Sequence, residues 1–476
     1  MTLVDTSTSH YLQGIYEPID DERIDLALEV IGTIPQALRG SYLRNGPNPQ
    51  FTPLGNYHVF DGDGMVHAIQ LSDGTASYRN RWIESAGLKV EREAHQALFG
   101  GLGEFKIPDQ WVIDKAGIMK NTANTNIIHH GTKTLALMEA ARPMQLDGEL
   151  ATIGEYDFAG QLQGPMTAHP RIDPTTGDMH FFGYSPFPPY LRYHVAGADG
   201  TLRRTVEVPI DRCVMIHDFV VTETHAVFFD LPAVFDLQQM LAGGAGIQWR
   251  PETGARIGVM PLDGDGSDTL WIDIDPCYVF HFVNAYNAGS HTIVVDGCRA
   301  TAMPTSFGDD PEPDPNIRPY LHRWTIDLAA GTAHMTQLDD RAGDFPRIND
   351  AYGARQHRYG YVARASQWAG SEIVFDAIVK HDFTTGSSSV LEYGSNAAAG
   401  EAVFAPDPNG SAEDDGWLLN FVTDRTSGTT EFVIADARSL DVCARVQLPR
   451  RVPFGFHGNW IPELAVIAAG ASTVSI

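Results

Sequence analysis

Short runs of six to nine residues, dense in Val, Ile, Phe and Tyr and broken by Asp and Gly turn signals, recur along the whole chain and constrain it most. Met179–Tyr184, His225–Asp230, His291–Asp296, Glu372–Lys380 and Leu418–Thr423 are examples. β-branched and aromatic side chains suit the pleated, half-buried surface of a sheet, and the runs have strand length. Between them lie Asp73-Gly74, Asp173-Pro174 with Gly177, Asp199-Gly200, Asp263-Gly264, Gly331 and Gly386. There Asp supplies a local hydrogen bond and Gly a positive φ for a tight reversal. Helical periodicity is confined to Ala233–Leu241 and Lys89–Leu98. The expected class is therefore all-β: a propeller, a paired sandwich or a large barrel. No fixed-period motif chooses among them. No linker interrupts residues 1–476, so one domain is expected, with the Pro- and Asp-rich run Asp309–Asp314 as a surface loop.

The 33 Lys and Arg against 60 Asp and Glu give 33 − 60 = −27. A field of that sign repels phosphate backbones, so nucleic acid is not an expected partner. Cys213, Cys277, Cys298 and Cys443 are far apart and form no C-x-x-C pair. They read as buried reduced thiols of a cytoplasmic protein, not as a zinc ribbon or a disulfide framework. The first residues show no basic segment followed by an apolar one, and no window holds 18 consecutive apolar residues; neither a secretory signal nor a membrane-spanning helix is expected. Phosphate-cradling glycine loops, the G-x-S-x-G elbow and H-E-x-x-H are all missing. The D-G-D-G runs at Asp61–Gly64 and Asp263–Gly266 lack the other ligands of a calcium loop and read as tight hairpin turns.

Eighteen histidines are more than surface chemistry needs, so their contexts matter. His10, His58, His95, His322 and His334 sit in polar or loop-like stretches and carry no special signal. His129 and His130 are adjacent, and neighbours on a strand point to opposite faces, so they cannot share one ion. His169 (Met166–Pro170), His217 (Met215–Phe219), His281 (Val279–Ala285) and His457 (Phe456–Trp460) stand among apolar residues near the ends of expected strands. Each by itself reads as a hydrogen-bonded core histidine. Together they admit a second reading, because neutral imidazole ligates iron, copper, nickel and zinc. Four imidazoles leave a dication's charge uncompensated, so carboxylates would be wanted behind them. The residues permit a four-histidine site without establishing one.

Gly40–Pro49, His58–His67, Asn121–Asn126 and the four histidine segments, taken in order, closely resemble the carotenoid cleavage oxygenase family, and the likeness runs through nearly the whole chain. The resemblance implies a seven-bladed β-propeller, with a cap of loops and short helices over an axial iron(II). It implies His169, His217, His281 and His457 as the iron ligands. It implies Glu139, Asp344 and Glu401 as the carboxylates that buttress three of them. Relatives usually place Glu before the Phe-Pro at which this chain has Asp344, so a contact through water or a backbone shift is expected there. Thr125 matches a threonine that narrows access to the iron. The implied reaction joins dioxygen to a conjugated double bond and gives two carbonyl products, without an organic cofactor.

The family acts either on carotenoids and apocarotenoids or on phenolic aryl-alkenes such as stilbenes, isoeugenol and 4-vinylguaiacol. Phenol-cleaving members grip the phenol with a Lys before the buttressing Glu and a Tyr after a Leu-Phe-Gly run. This chain has Met138 and Leu102 at those places. Burying a phenolic oxygen against them would cost about 1–3 kcal/mol. Phe60, Leu102 and Met138 are thus read as an apolar substrate pocket, which favours a carotenoid or apocarotenoid. The run Ser185–Leu191 points the same way. An aryl-alkene oxygenase, a retinoid-type isomerohydrolase and a non-catalytic platform are the alternatives. Phe235–Leu241 either packs as an ordinary helix or lets the pocket mouth touch a membrane surface transiently.

Overall fold

Burial along the short runs explains how they assemble in the computed structural model, which describes residues 4–305, 307, 314, 316–369, 372–467 and 474–475. The expected loop Asp309–Asp314 lies almost wholly outside the described residues. Leu202–Glu207, an outer strand, buries alternate side chains, whereas Met179–Tyr184, two strands further in, buries all six. A strand covered on both faces reads as a continuous apolar run, and one with a wet face alternates.

The chain is mostly β and forms several sheets, with every described strand pair antiparallel. Consecutive strands pair as meanders: Arg171–Ile172, Met179–Tyr184, Leu191–Ala196 and Leu202–Glu207 form one four-stranded sheet in that order. The two ends of the chain share sheets. Gly40–Pro47 pairs with Gly458–Pro462, Val30–Gly32 with Val442–Gln447, and Arg23–Asp25 with Val474–Ser475. Pairing first strands with last removes edges that would otherwise expose unpaired backbone groups.

Aromatic side chains fill the spaces between sheets. Trp324 packs edge-on against Phe229 with ring centres 5.3 Å apart, and Tyr42 meets Phe421 and Phe432 at 5.3 and 5.1 Å. Helices are short. The first runs Ala86–Ala94, earlier than the expected Lys89–Leu98, because the Ser85 hydroxyl caps the Leu88 amide and His95 turns left-handed at φ 56°. Ala233–Leu241 splits: Ala233–Phe235 is a strand paired with Ile247–Trp249, and only Leu237–Leu241 is helical, capped by Asp236. That helix leaves Gln238, Gln239 and Leu241 exposed and half-buries Leu237 and Met240. No helix among the described residues is long and apolar enough to cross a membrane.

The second D-G-D-G run connects the antiparallel strands Ala255–Pro261 and Leu270–Ile274, as a hairpin connection should. The first does not. Asp61 ends a 3-10 turn, and the chain then enters the strand Gly64–Ser72. The carboxylates are committed elsewhere: Asp61 accepts from the Leu102 amide at 2.9 Å and Asp63 from that of Gln50 at 3.1 Å. The four cysteines are unpaired; Cys443 is half-buried, unlike the other three.

Many histidines are buried without charge. Burial pushes His58 and His357 down to about 3, and His194, His381 and His457 down to about 4. The unfolded chain binds protons at these rings from about pH 6.5 downward, whereas the folded chain does not, so stability falls as pH drops from about 6.5 to 4. Asp61, raised to about 6 by burial, and His281, raised by Asp344 against its own burial, oppose this, but they are outnumbered. The urea midpoint is expected to fall steadily from pH 7 to 5, with several protons taken up on unfolding. A flat or rising midpoint over that interval would contradict the assignment of these rings as neutral.

Candidate metal centre

Each of the four singled-out histidines stands at or just before the edge strand of a different sheet. His169 precedes Arg171–Ile172 and His217 precedes Val220–Val221. His281 lies on Tyr278–Asn287 where its register breaks, and His457 precedes Gly458–Pro462. All four are buried, and one ring nitrogen from each lies within 4.8 Å of the other three. The Nε2 atoms of His169 and His217 are 3.1 Å apart, and those of His217 and His281 are 3.3 Å apart.

Three carboxylates decide which nitrogen faces inward. His217 Nδ1 donates to Glu139 Oε2 at 2.6 Å, His281 Nδ1 to Asp344 Oδ1 at 2.8 Å, and His457 Nδ1 to Glu401 Oε1 at 3.0 Å. A proton held on Nδ1 leaves Nε2 as a bare lone pair. Lone pairs that converge at 3.1–3.3 Å repel one another unless a cation sits between them. Two nitrogens that far apart, each at a typical metal–imidazole distance of about 2.1 Å, subtend roughly 95–105° at a shared ion. The quartet could therefore hold a metal ion.

The surrounding charge fits a dication. Glu139, Asp344 and Glu401 contribute −3. Arg347, 3.4 Å from Glu401 Oε2, contributes +1. These four groups sum to −2, a sign that favours a cation, and Arg347 is shared with the exposed Asp350 at 3.3 Å. Burial disfavours the Glu401 charge, but Arg347 and His457 overcome it and hold the carboxyl down to about 2. Burial likewise disfavours charge on His281, and Asp344 outweighs it and raises that imidazole. His169 has no such carboxylate among the described residues; burial and then its three histidine neighbours hold it well below the ordinary value.

Asp344 reaches its histidine directly despite its shorter arm. The strand carrying it bulges between Asp344 and Arg347, and Phe345 adopts φ 53°. A bulge re-aims side chains at a site. Here the Phe345 amide donates to Asp344 at 2.8 Å, and the Phe345 ring stacks on His281 at 5.1 Å. Thr125, at the mouth of the strand Asn126–His130, accepts the His457 amide on its carbonyl at 3.0 Å and borders the central cavity.

Sequence reasoning passed over two residues that tie the quartet together. Arg171 donates to both Asp218 oxygens at 2.8 and 2.6 Å and to the Phe219 carbonyl at 2.9 Å. Asp218 also accepts the Phe282 amide at 2.9 Å. Asp218 and Phe282 each follow a quartet histidine by one residue, and Arg171 follows one by two, so this one ion pair clamps three histidine segments. The only signal for Asp218 was its place directly after His217. Tyr184 was missed too: its hydroxyl donates to Glu139 Oε1 at 2.6 Å.

A cavity of about 250 Å³ opens beside the quartet. Thr125, Glu139, Asp344 and three of the histidines border it, while His169 and Glu401 stand behind its wall. Phe60, Leu102 and Met138 border it as well, and Phe280 meets His217 edge-on at 5.1 Å. His58, read from sequence as unremarkable, is buried in the same wall, with Nε2 3.3 Å from Thr305 Oγ1.

Substituting Asp344→Ala is expected to weaken divalent metal binding about 10–100-fold, because His281 loses the group that fixes its tautomer. Competition titration with a chelator measures it. Unchanged affinity would mean that the carboxylates do not set the ring orientation.

A family model described as retinal pigment epithelial membrane protein matches residues 16–462. A carotenoid cleavage oxygenase of Mycobacterium tuberculosis is 37% identical, with 96% of this chain and 98% of that one covered. A carotenoid 9,10(9',10')-cleavage dioxygenase of Crocus sativus is 35% identical, with 95% and 89% covered. Among solved structures, cobalt-substituted Synechocystis apocarotenoid oxygenase superposes with TM-score 0.85 and 30% identity, covering 97% and 100%. The lignostilbene dioxygenase of Pseudomonas brassicacearum gives 0.89 and 28%, with the same coverage. Likeness of this extent along nearly the whole length makes the chain a member of the carotenoid cleavage oxygenase family and an alkene-cleaving dioxygenase.

Proposed function

We propose that the chain is an iron(II) dioxygenase cleaving a conjugated double bond of a carotenoid or apocarotenoid into two carbonyl products. The observation that carries the substrate class is the wall beside the quartet, where Leu102 and Met138 offer no partner to a phenolic oxygen. Higher identity to the two carotenoid-cleaving relatives supports the same choice. Iron(II) on His169, His217, His281 and His457 would supply the activation of dioxygen.

The chain's own part is positional. Glu139, Asp344 and Glu401 keep protons on Nδ1, so the inward nitrogens stay available. Tyr184, whose phenol is kept protonated by burial and by Glu139, steadies that carboxylate. Phe60, Leu102 and Met138 align an extended apolar substrate and exclude water, and Thr125 narrows the approach to the ion. Ile118 and Met119 border the cavity and are also exposed, as is Leu241 next to the cavity residue Met240. Such a mouth suits uptake of a poorly soluble polyene from a membrane surface.

The strand order supports a seven-bladed propeller in one domain. Five sheets have four or six strands, and the seven-stranded one changes partners within Thr332–Arg347, whose first half pairs with Tyr320–Asp327 and whose last residues pair with Tyr359–Ala369. Counting that sheet as two, and setting aside the two-stranded pair Ala233–Phe235 and Ile247–Trp249, gives seven units. The unpaired cysteines favour a reducing, cytoplasmic setting.

Iron(II)-loaded protein is expected to turn over a long apocarotenal faster than resveratrol, isoeugenol or 4-vinylguaiacol. An oxygen electrode should record one dioxygen consumed per pair of carbonyl products identified by mass. Faster cleavage of the phenols would reverse the substrate assignment, and product formation without oxygen uptake would indicate isomerohydrolase chemistry.

A further inference from the structure

One part of the cavity wall carries charged groups that make no ion pair or hydrogen bond with the quartet's own carboxylates. Lys120 places Nζ 2.5 Å from Asp63 Oδ1 and pairs as closely with Glu91 Oε2. The Asp63 and Glu91 side chains are 5% and 2% exposed, so both charges are withdrawn from water. The second oxygens are also used: Asp63 Oδ2 accepts the Gln50 amide and Glu91 Oε1 the Leu98 amide, at 3.1 and 2.9 Å. Asp61 borders the cavity beside them and accepts the amides of Leu102 and His58 at 2.9 and 3.2 Å.

An ammonium has three N–H donors, and Asp63 and Glu91 take two. Lys120 borders the same cavity as Phe99, Leu102, Met119 and Met138. The carboxylates and the aspartate leave this wall negative overall, so an anionic group is repelled from it. An uncharged oxygen is not.

We propose that Lys120 is a substrate-binding residue that donates a hydrogen bond to an uncharged oxygen, an alcohol or an aldehyde, carried by the polyene away from the cleaved bond. Asp63 and Glu91 hold the ammonium in place and keep it protonated. The proposal rests on the polyene reading above and adds to it a preference for oxygen-bearing over hydrocarbon and carboxylate-bearing ends. It also explains how a cavity without the two phenol-gripping residues still orients its substrate along one direction.

The test compares polyenes of equal length ending in an alcohol, an aldehyde, a carboxylate and a methyl group. For the wild-type enzyme, kcat/KM is expected to be about tenfold or more higher for the alcohol and aldehyde than for the methyl end, carried mostly in KM. The carboxylate should be the poorest. The variant D63N/E91Q/K120M removes the charges together, so none is left buried alone; bound metal checks its fold. In it the alcohol-to-methyl ratio should approach one. A wild-type ratio near one overturns the proposal without any variant. A folded variant that keeps the wild-type ratio, or loses all four substrates equally, makes the cluster a structural fastener and overturns it too. Failure of the wild type to cleave any polyene would refute the polyene reading itself, whereas equal cleavage of all four would refute Lys120 alone.

Discussion

Four imidazole lone pairs pointed at one another are unfavourable by themselves, and the rest of the structure is arranged to enforce that convergence. The enforcing interaction is the hydrogen bond from Nδ1 to a carboxylate, made three times, with Asp344 and Glu401 buried and Glu139 half-buried. It fixes tautomer and ring orientation together, and it puts negative charge one shell behind the nitrogens that would face a cation. With Arg347 beside Glu401, the three carboxylates and the guanidinium sum to −2. A dication completes that balance. The same low-dielectric surroundings that make an unpaired charge costly make the completed set stable.

The sheets serve this by geometry. Side chains from residues nearly three hundred apart can meet only if several edge strands point at one place, and the quartet stands at or just before the edge strands of four different sheets. Pairing of the first strands with the last closes the arrangement. The Arg171–Asp218 pair then joins three histidine segments through two side chains and two backbone groups. A strand bulge with Phe345 in the left-handed region carries the short Asp344 arm to His281. Local strain is tolerated there because hydrogen bonds and ring stacking over-determine the position.

Polarity within the cavity is divided. The quartet side holds its charges on the carboxylates hydrogen-bonded to its histidines, the wall of Leu102 and Met138 is apolar, and Lys120 is paired with Asp63 and Glu91.

Much was legible in the sequence. Short runs of β-branched and aromatic residues with Asp/Gly turns between them determine short strands joined by tight reversals, because such side chains suit a pleated sheet and such reversals need particular residues. The histidine contexts marked the quartet as candidates, and family resemblance nominated Glu139, Asp344 and Glu401 as the groups the structure sets behind three of them. What only the tertiary structure decided was which groups meet. Asp218, Arg171 and Tyr184 look like ordinary strand-end residues until sheets distant in sequence bring them together. The D-G-D-G run at Asp61–Gly64 looked like a hairpin because Asp and Gly favour turns locally; its carboxylates instead bind backbone and Lys120 across the fold. Helix limits near Lys89 and Ala233 shifted because a cap or a pairing strand outweighs weak periodicity. Local patterns select strand and turn, since those depend on neighbours along the chain; a site built from long-range pairs depends on closure of the sheets, which no local pattern encodes.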